Sequence, residues 1–183
     1  MDNAFQWIER QGGLCGEESY PYTSGQTSAR GQCMASQCTV VPGTVPASFV
    51  DIAPTEQALL AAVSQHGPVS VAIEADQSVF QFYHSGVLTG ACGTHLNHGV
   101  LLVGYGTDPA TGLSFWKVKN SWGTTWGESG FVRMQRGKRW PAGGGECFYF
   151  PSRLGCWERM RDSLNAHHSE CGIATKASFP VLA

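Results

Sequence analysis

The segment His98-Gly99-Val100-Leu101-Leu102-Val103-Gly104 constrains the fold most. It is an unbroken apolar run of strand length bounded by glycines, the pattern of a strand buried on both faces. Three further strands surround it in sequence. Val69–Ile73 alternates like a half-buried strand. Phe115–Asn120 sets Trp116, Val118 and Asn120 on one face and Phe115, Lys117 and Lys119 on the other, and Phe131–Met134 is the third. Ahead of them, Ala4, Phe5 and Ile8 fall at helical spacing over residues 2–11 and Gly12-Gly13 stop the run. A second helix is predicted from Pro54, suited to a first turn because it lacks an N–H, with Leu59, Leu60 and Val63 on one face and Gly67-Pro68 at its end. Residues 14–46 show no sustained period and read as loop. A helical start followed by strands joined through glycine-rich turns is an α+β pattern.

Composition narrows the classes. The 183 residues suit one domain or slightly more, and 42% hydrophobic against 14% charged residues excludes a disordered chain. A net charge of −2 with no basic stripe argues against a nucleic-acid partner. No apolar run approaches the ~18 residues of a membrane span.

Seven cysteines (Cys15, Cys33, Cys38, Cys92, Cys147, Cys156 and Cys171) occur without any C-x-x-C pair. That combination points to disulfides formed in an oxidising compartment, and the odd count leaves one thiol free or paired outside the chain. Met1-Asp2-Asn3-Ala4 has neither the charged nor the apolar region of a secretory signal. Residues 138–169 differ from their surroundings, with Pro141, the run Gly143-Gly144-Gly145, and Arg139, Arg153, Arg159 and Arg161.

Two segments carry candidate chemistry. Leu96-Asn97-His98-Gly99 places a histidine at the mouth of the apolar strand. Lys119-Asn120-Ser121-Trp122-Gly123, followed by Trp126-Gly127, brings an asparagine and two indoles together. An imidazole acting as acid or base must be fixed in tautomer and angle by a partner on its second nitrogen. The Asn120 amide oxygen meets that need by accepting Nδ1–H, and a nearby indole excludes water from the bond. An alternative metal site on Cys92, His95 and His98 has plausible spacing but no evident fourth ligand, so neither metal nor cofactor is called for. G-x-S-x-G, P-loop and dinucleotide-binding motifs are absent.

Taken with Glu18-Ser19-Tyr20-Pro21-Tyr22, Gly67-Pro68-Val69-Ser70-Val71, Gly104-Tyr105-Gly106, Cys171-Gly172-Ile173-Ala174 and Ser178-Phe179-Pro180, these segments resemble the papain-like cysteine proteases, in the same order and over most of the chain. The resemblance implies an α+β papain-like fold. Residues 1–45 would be a remnant of the helical left domain, and 46–137 with 170–183 the β-barrel-like right domain. Residues 138–169 would be an atypical insertion or a retained intron. It implies His98 as catalytic base and acid, Asn120 as its orienting partner, and Trp122 and Trp126 as shield and support. Met1, Ala72, Leu96 and Gly99 would wall the substrate pocket, with Lys176 at its far end.

It also implies a Cys92–Cys171 disulfide, with Cys15–Cys38 and Cys147–Cys156 as the remaining guesses and Cys33 matching a cysteine bonded to an upstream segment. The family's nucleophile sits in a C-G-S-C-W-like context that none of the seven cysteines shares. Met1 matches an interior position of the family, so the expectation is an internal methionine read as a start. Phe5 and Ile8 would then lack the helix they pack against, and the chain alone would be inactive and poorly stable. The implied parent is a monomeric cysteine endopeptidase, extracellular or lysosomal/vacuolar, with polypeptide substrates and protein inhibitors of cysteine proteases as partners. The alternative is a non-catalytic homologue acting as a binding or scaffold protein.

Overall fold

The glycine pair after Gln11 ends the first helix where the sequence places it: α1 spans Asp2–Gln11 and Gly12 closes it in a left-handed conformation. This computed structural model describes residues 1–90, 92–137 and 169–182. It divides into two units, Met1–Val50 with Ser178–Ala183, and Asp51–Ala177.

In the first unit no residue of α1 is fully buried, and Phe5 stacks on Phe49 with ring centroids 5.7 Å apart. Phe49 lies on β1 (Pro46–Asp51), which neighbours β7 (Ala177–Leu182). Residues 14–46 hold more structure than their sequence suggests. They include a one-turn helix α2 (Ser24–Thr27), a 3-10 turn (Ala35–Gln37) and a bridge between Cys15 and Val40. The Cys15–Cys38 disulfide closes this region, and Cys33 is an exposed free thiol. Elements this short bury too little to leave a periodic signature.

The second unit carries α3 (Glu56–His66), β2 (Val69–Ile73), the one-turn helix α4 (Ser78–Gln81), β3 (Val87–Leu88), β4 (His98–Thr107), β5 (Ser114–Lys119) and β6 (Phe131–Gln135). Its strands lie in the order β2-β4-β5-β6-β3, antiparallel except for the β3–β6 pair. Helix α3 starts later than Pro54 because Thr55 caps it, its side-chain oxygen accepting the Ala58 N–H. The alternation along β2 and β5 is the one the sequence shows: Val69, Val71 and Ile73 are buried, as are Trp116 and Val118. With Leu59 of α3, Leu102 of β4 and Met134 of β6 they form the core, each large side chain contributing ~1.5–3 kcal/mol.

Strand β4 corrects one expectation. Val100 and Leu102 are buried, but Leu101 and Val103 are only partly so, and one face is more covered than the other. The β4–β5 register shifts between Leu102 and Gly104, leaving Val103 as an extra residue in a bulge. Residues 138–168 lie outside the described chain. The expected Cys147–Cys156 pair and nearly all of the atypical 138–169 segment fall there.

Candidate active site

His98 opens β4 and Asn120 directly follows β5, and the ladder between the two strands brings them together. The pair Leu101↔Lys119, continued toward the strand ends, sets His98 level with Trp122 and one pleat from Asn120. Asn120 is on the buried face with Trp116 and Val118, 7% exposed, and its own N–H donates to Gly130 O at 2.9 Å.

His98 Nε2 lies 2.8 Å from Asn120 Oδ1. The same oxygen accepts the Ser121 backbone N–H at 2.8 Å. A backbone N–H can only donate, so the amide atom facing both groups is the oxygen, and the imidazole nitrogen facing it must carry the proton. This corrects the expected geometry: Nε2–H, rather than Nδ1–H, donates to the asparagine. In neutral His98, Nδ1 therefore holds the free lone pair. Asn120 Nδ2 is buried with no hydrogen-bond partner among the described residues.

Trp122 lies against the imidazole, ring centroids 5.2 Å apart and planes inclined by 32°. It is 39% exposed, so it covers the histidine from the solvent side without being enclosed. Trp126 meets Trp122 edge-on at 5.3 Å, and its Nε1–H donates to Gln81 O at 3.0 Å. Beneath both indoles sits Phe80, fully buried, 5.5 Å from Trp122 and 5.1 Å from Trp126, while Tyr83 packs 5.6 Å from Trp126. Phe80 and Tyr83 are site components that the sequence reading did not single out. Their only signal is an aromatic cluster after a strand, on and just past a helix too short to show a period.

An ionic network holds the turn that carries Trp126. Arg133 donates through Nε and Nη2 to Glu128, at 2.7–3.1 Å, and through Nη1 to Asp108. These bonds hold the Glu128 carboxyl below its usual range. Asp108 is lowered first by the Thr111 backbone N–H and then by Arg133. The Tyr83 hydroxyl donates to Gly86 O at 2.6 Å, and burial raises its pKa. Gly127, at φ 56°, is required here because a Cβ would stand 2.6 Å from Phe131 O.

Of the expected pocket residues, Ala72 pairs across the ladder with Gly99, and the Ala72 N–H donates to Lys176 O at 3.0 Å. A Cβ on Gly99 would meet nothing within 4 Å, so this wall faces open space, and the Lys176 side chain is exposed. Leu96 is half-buried against the Gly172 turn. Met1 precedes α1 in the first unit. Cys92 and Cys171 form a buried disulfide. That bond removes Cys92 as a ligand and with it the Cys92–His95–His98 alternative. It likewise occupies both sulfurs of the one group of potential ligands found among the described residues, Cys92, Glu170 and Cys171.

The fold and this His–Asn–Trp arrangement define a class, the papain-like α+β proteins. The bromelain protease of Ananas comosus, solved in complex with the E64 inhibitor, superposes with a TM-score of 0.75 at 32% identity, covering 100% of this chain and 69% of that one. The ragweed pollen allergen Amb a 11, a cysteine protease solved in its proform, gives 0.74 at 34% identity, covering 100% and 45%. The pattern of the papain family cysteine proteases matches residues 1–150. Cysteine protease 1 of Oryza sativa subsp. japonica is 40% identical over 181 residues, and vignain of Ricinus communis 39% identical over 186. This chain belongs to the papain family of cysteine proteases. It spans 31% and 41% of the lengths of those two relatives while 99% of its own residues are matched.

Proposed function

We propose that this chain provides the histidine half of a cysteine endopeptidase site, with His98 as general base and acid and Asn120 as the group that orients it. The observation that carries the reading is the shared acceptor: Asn120 Oδ1 takes both the Ser121 N–H and His98 Nε2–H, which leaves Nδ1 as the proton-transferring atom. In the complete reaction a cysteine thiol gives its proton to His98 Nδ1, and the thiolate attacks the scissile carbonyl. The imidazolium then protonates the leaving amine, and the neutral ring takes a proton from the water that hydrolyses the acyl-enzyme. Trp122 keeps water off the His98–Asn120 bond and Trp126 supports it.

On this reading no cysteine among the described residues is the sulfur nucleophile. Among the described residues Cys15, Cys38, Cys92 and Cys171 are consumed in disulfides, and Cys33 lies exposed in a loop of the first unit. None of the seven cysteines lies in the family's C-G-S-C-W-like context, and on this reading the chain by itself does not hydrolyse peptides. Residues 1–45 serve as part of the helical domain, and 46–137 with 170–183 as the barrel-like domain. Ala72, Leu96 and Gly99 wall an apolar substrate pocket with Lys176 at its end. Substrates are polypeptides, protein inhibitors of cysteine proteases are further partners, and the protein acts as a monomer. Two disulfides favour an extracellular or vacuolar compartment.

The lack of a described thiol at His98 favours one second reading, a non-catalytic papain-like binding protein. One experiment separates the two. The reading frame preceding Met1 is sequenced from transcripts, and the extended protein is expressed and treated with an E64-type epoxide. The protease reading expects a cysteine in a Gly/Ser-Cys-Trp context, labelling at that cysteine, turnover of a fluorogenic peptide, and loss of both in His98→Ala. Transcripts without such a codon, or an extended protein that neither labels nor cleaves, support the binding protein instead.

A further inference from the structure

We propose that Glu74 is a positioning residue for His98, acting through the loop 92–97 that feeds the histidine into β4. This rests on the reading of His98 and Asn120 given above.

Glu74 is the residue after β2 and is 6% exposed, a carboxylate taken almost wholly out of water. A carboxylate is placed there only where donors satisfy it, and the donors identify what it holds. One oxygen accepts the His95 backbone N–H, and the other accepts Gln77 Nε2 at 2.8 Å. The Glu74 backbone N–H donates to Cys171 O at 2.9 Å. Glu74 thus binds both the loop and the turn to which the Cys92–Cys171 disulfide ties that loop.

The bonds around it extend the β2–β4 ladder past its regular end. Ile73 is paired with His98, Asn97 N–H donates to Ile73 O at 3.0 Å, and Ala75 N–H donates to Asn97 Oδ1 at 2.9 Å. Beyond Asn97 the chain turns away, and the Glu74 carboxylate takes over as the acceptor for His95. The loop residue facing it must be small: a Cβ on Gly93 would stand 2.5 Å from Glu74 Oε2. His98 is thereby fixed from its N-terminal side by Glu74 and from its ring by Asn120. An imidazole that must keep one nitrogen 2.8 Å from its partner needs both restraints, because a loop displacement of about an ångström breaks the bond.

The test is nuclear magnetic resonance on the 15N-labelled full chain, reading the His98 imidazole tautomer and the solvent exchange of its Nε2–H. Wild type shows the Nε2–H tautomer. In Glu74→Ala, and in Gly93→Ala where the new methyl group displaces the carboxylate from an exposed loop position, Nε2–H exchanges roughly tenfold faster or the tautomer preference is lost, the change expected for losing about one hydrogen bond of restraint. Glu74→Gln keeps an acceptor for His95 and restores the signature. An unchanged His98 signature in folded Glu74→Ala, or in Gly93→Ala if the first variant does not fold, overturns the proposal even where the melting temperature falls. Loss in Glu74→Gln as complete as in Glu74→Ala also overturns the acceptor role. Asn120→Ala serves as the separate check: if it leaves the signature intact, the His98–Asn120 reading fails on its own account.

Discussion

Phe80 sets its ring edge against Trp122, centroids 5.5 Å apart and planes at 83°. Trp122 in turn lies over His98. The covering of the imidazole is therefore not a property of the indole alone. Trp122 is partly exposed and would swing freely on the turn that bears it, were it not held from below by a fully buried phenylalanine that also touches Trp126. The position of the roof is decided in α4, some forty residues before it in sequence.

Phe80→Ala is accordingly expected to cost about 3–5 kcal/mol, the usual loss for emptying a buried aromatic site. Both indoles lose a packing surface in that variant. Urea denaturation followed by tryptophan fluorescence checks the value, and a loss below about 1 kcal/mol would show that the cluster does not depend on Phe80.

Asn120→Ala removes the only oxygen that accepts both His98 Nε2–H and Ser121 N–H. Both bonds are part-buried, and each contributes about 0.5–1.5 kcal/mol. In an enzyme completed by its cysteine, misorientation of the ring should lower kcat on the order of 10–100-fold while KM changes little. Steady-state kinetics on that protein provide the check, with equal kcat in variant and wild type as the contrary result.

Much of this site is legible in the sequence, for physical reasons that can be named. His98 and Asn120 sit at the ends of strands long enough to show their period, so the chain pattern fixes which face each occupies, and the two tryptophans follow in the turn between β5 and β6. The Nε2 geometry is not legible, because it depends on the angle at which the two strands' ends meet. Phe80, Tyr83 and Glu74 escape for a different reason. They lie on a one-turn helix, just past it, or just past a strand, where no repeat develops, and most of their partners are 40 or more residues away or are backbone groups that a sequence does not display. Thr55 as the cap of α3 was open to reading, since threonine is a favoured N-cap residue, but Pro54 beside it is the stronger local signal.

The Cys92–Cys171 bond closes a sequence separation of 79 residues across Cα atoms 4.7 Å apart. Chain-entropy arguments assign such a loop roughly 4.5 kcal/mol. The double variant Cys92→Ala/Cys171→Ala should lose stability of that order and expose the amides of residues 93–97 to faster hydrogen exchange. Denaturation together with exchange measurements tests both parts, and protection of 93–97 equal to wild type would mean that Glu74 and Asn97 hold the loop without the disulfide.

Lys176 holds its backbone carbonyl against Ala72 while its side chain remains exposed. An exposed ammonium interacts weakly, about 0.2–1 kcal/mol with an acidic partner. In the completed enzyme, Lys176→Ala should reduce kcat/KM by up to roughly fivefold for peptides bearing an acidic second residue before the scissile bond, leaving aliphatic ones unchanged. A peptide library showing no difference for acidic residues removes Lys176 from the pocket.

Acid stability should turn on Arg133. Its bonds depress the Glu128 carboxyl in the folded state and contribute to the depression of Asp108. A carboxyl whose folded pKa lies below its unfolded value of about 3.9–4.3 binds fewer protons when folded, so its contribution is fully present above that range. It is lost as the pH falls through the lower, folded value. Arg133→Met removes the largest cause of the Glu128 depression and part of that of Asp108, so the variant should be destabilised most above the unfolded range and the difference from wild type should shrink as the pH falls through the lower, folded values. The acid-unfolding midpoint, followed by circular dichroism, is expected to move to higher pH. Asp108 keeps its bonds from Ala110 N–H and Thr111 N–H in that variant, so the larger part of the movement should come from Glu128. Glu128→Gln should therefore reproduce most of it and Asp108→Asn less, and the reverse order would place the acid-sensitive contact at the 108–113 turn.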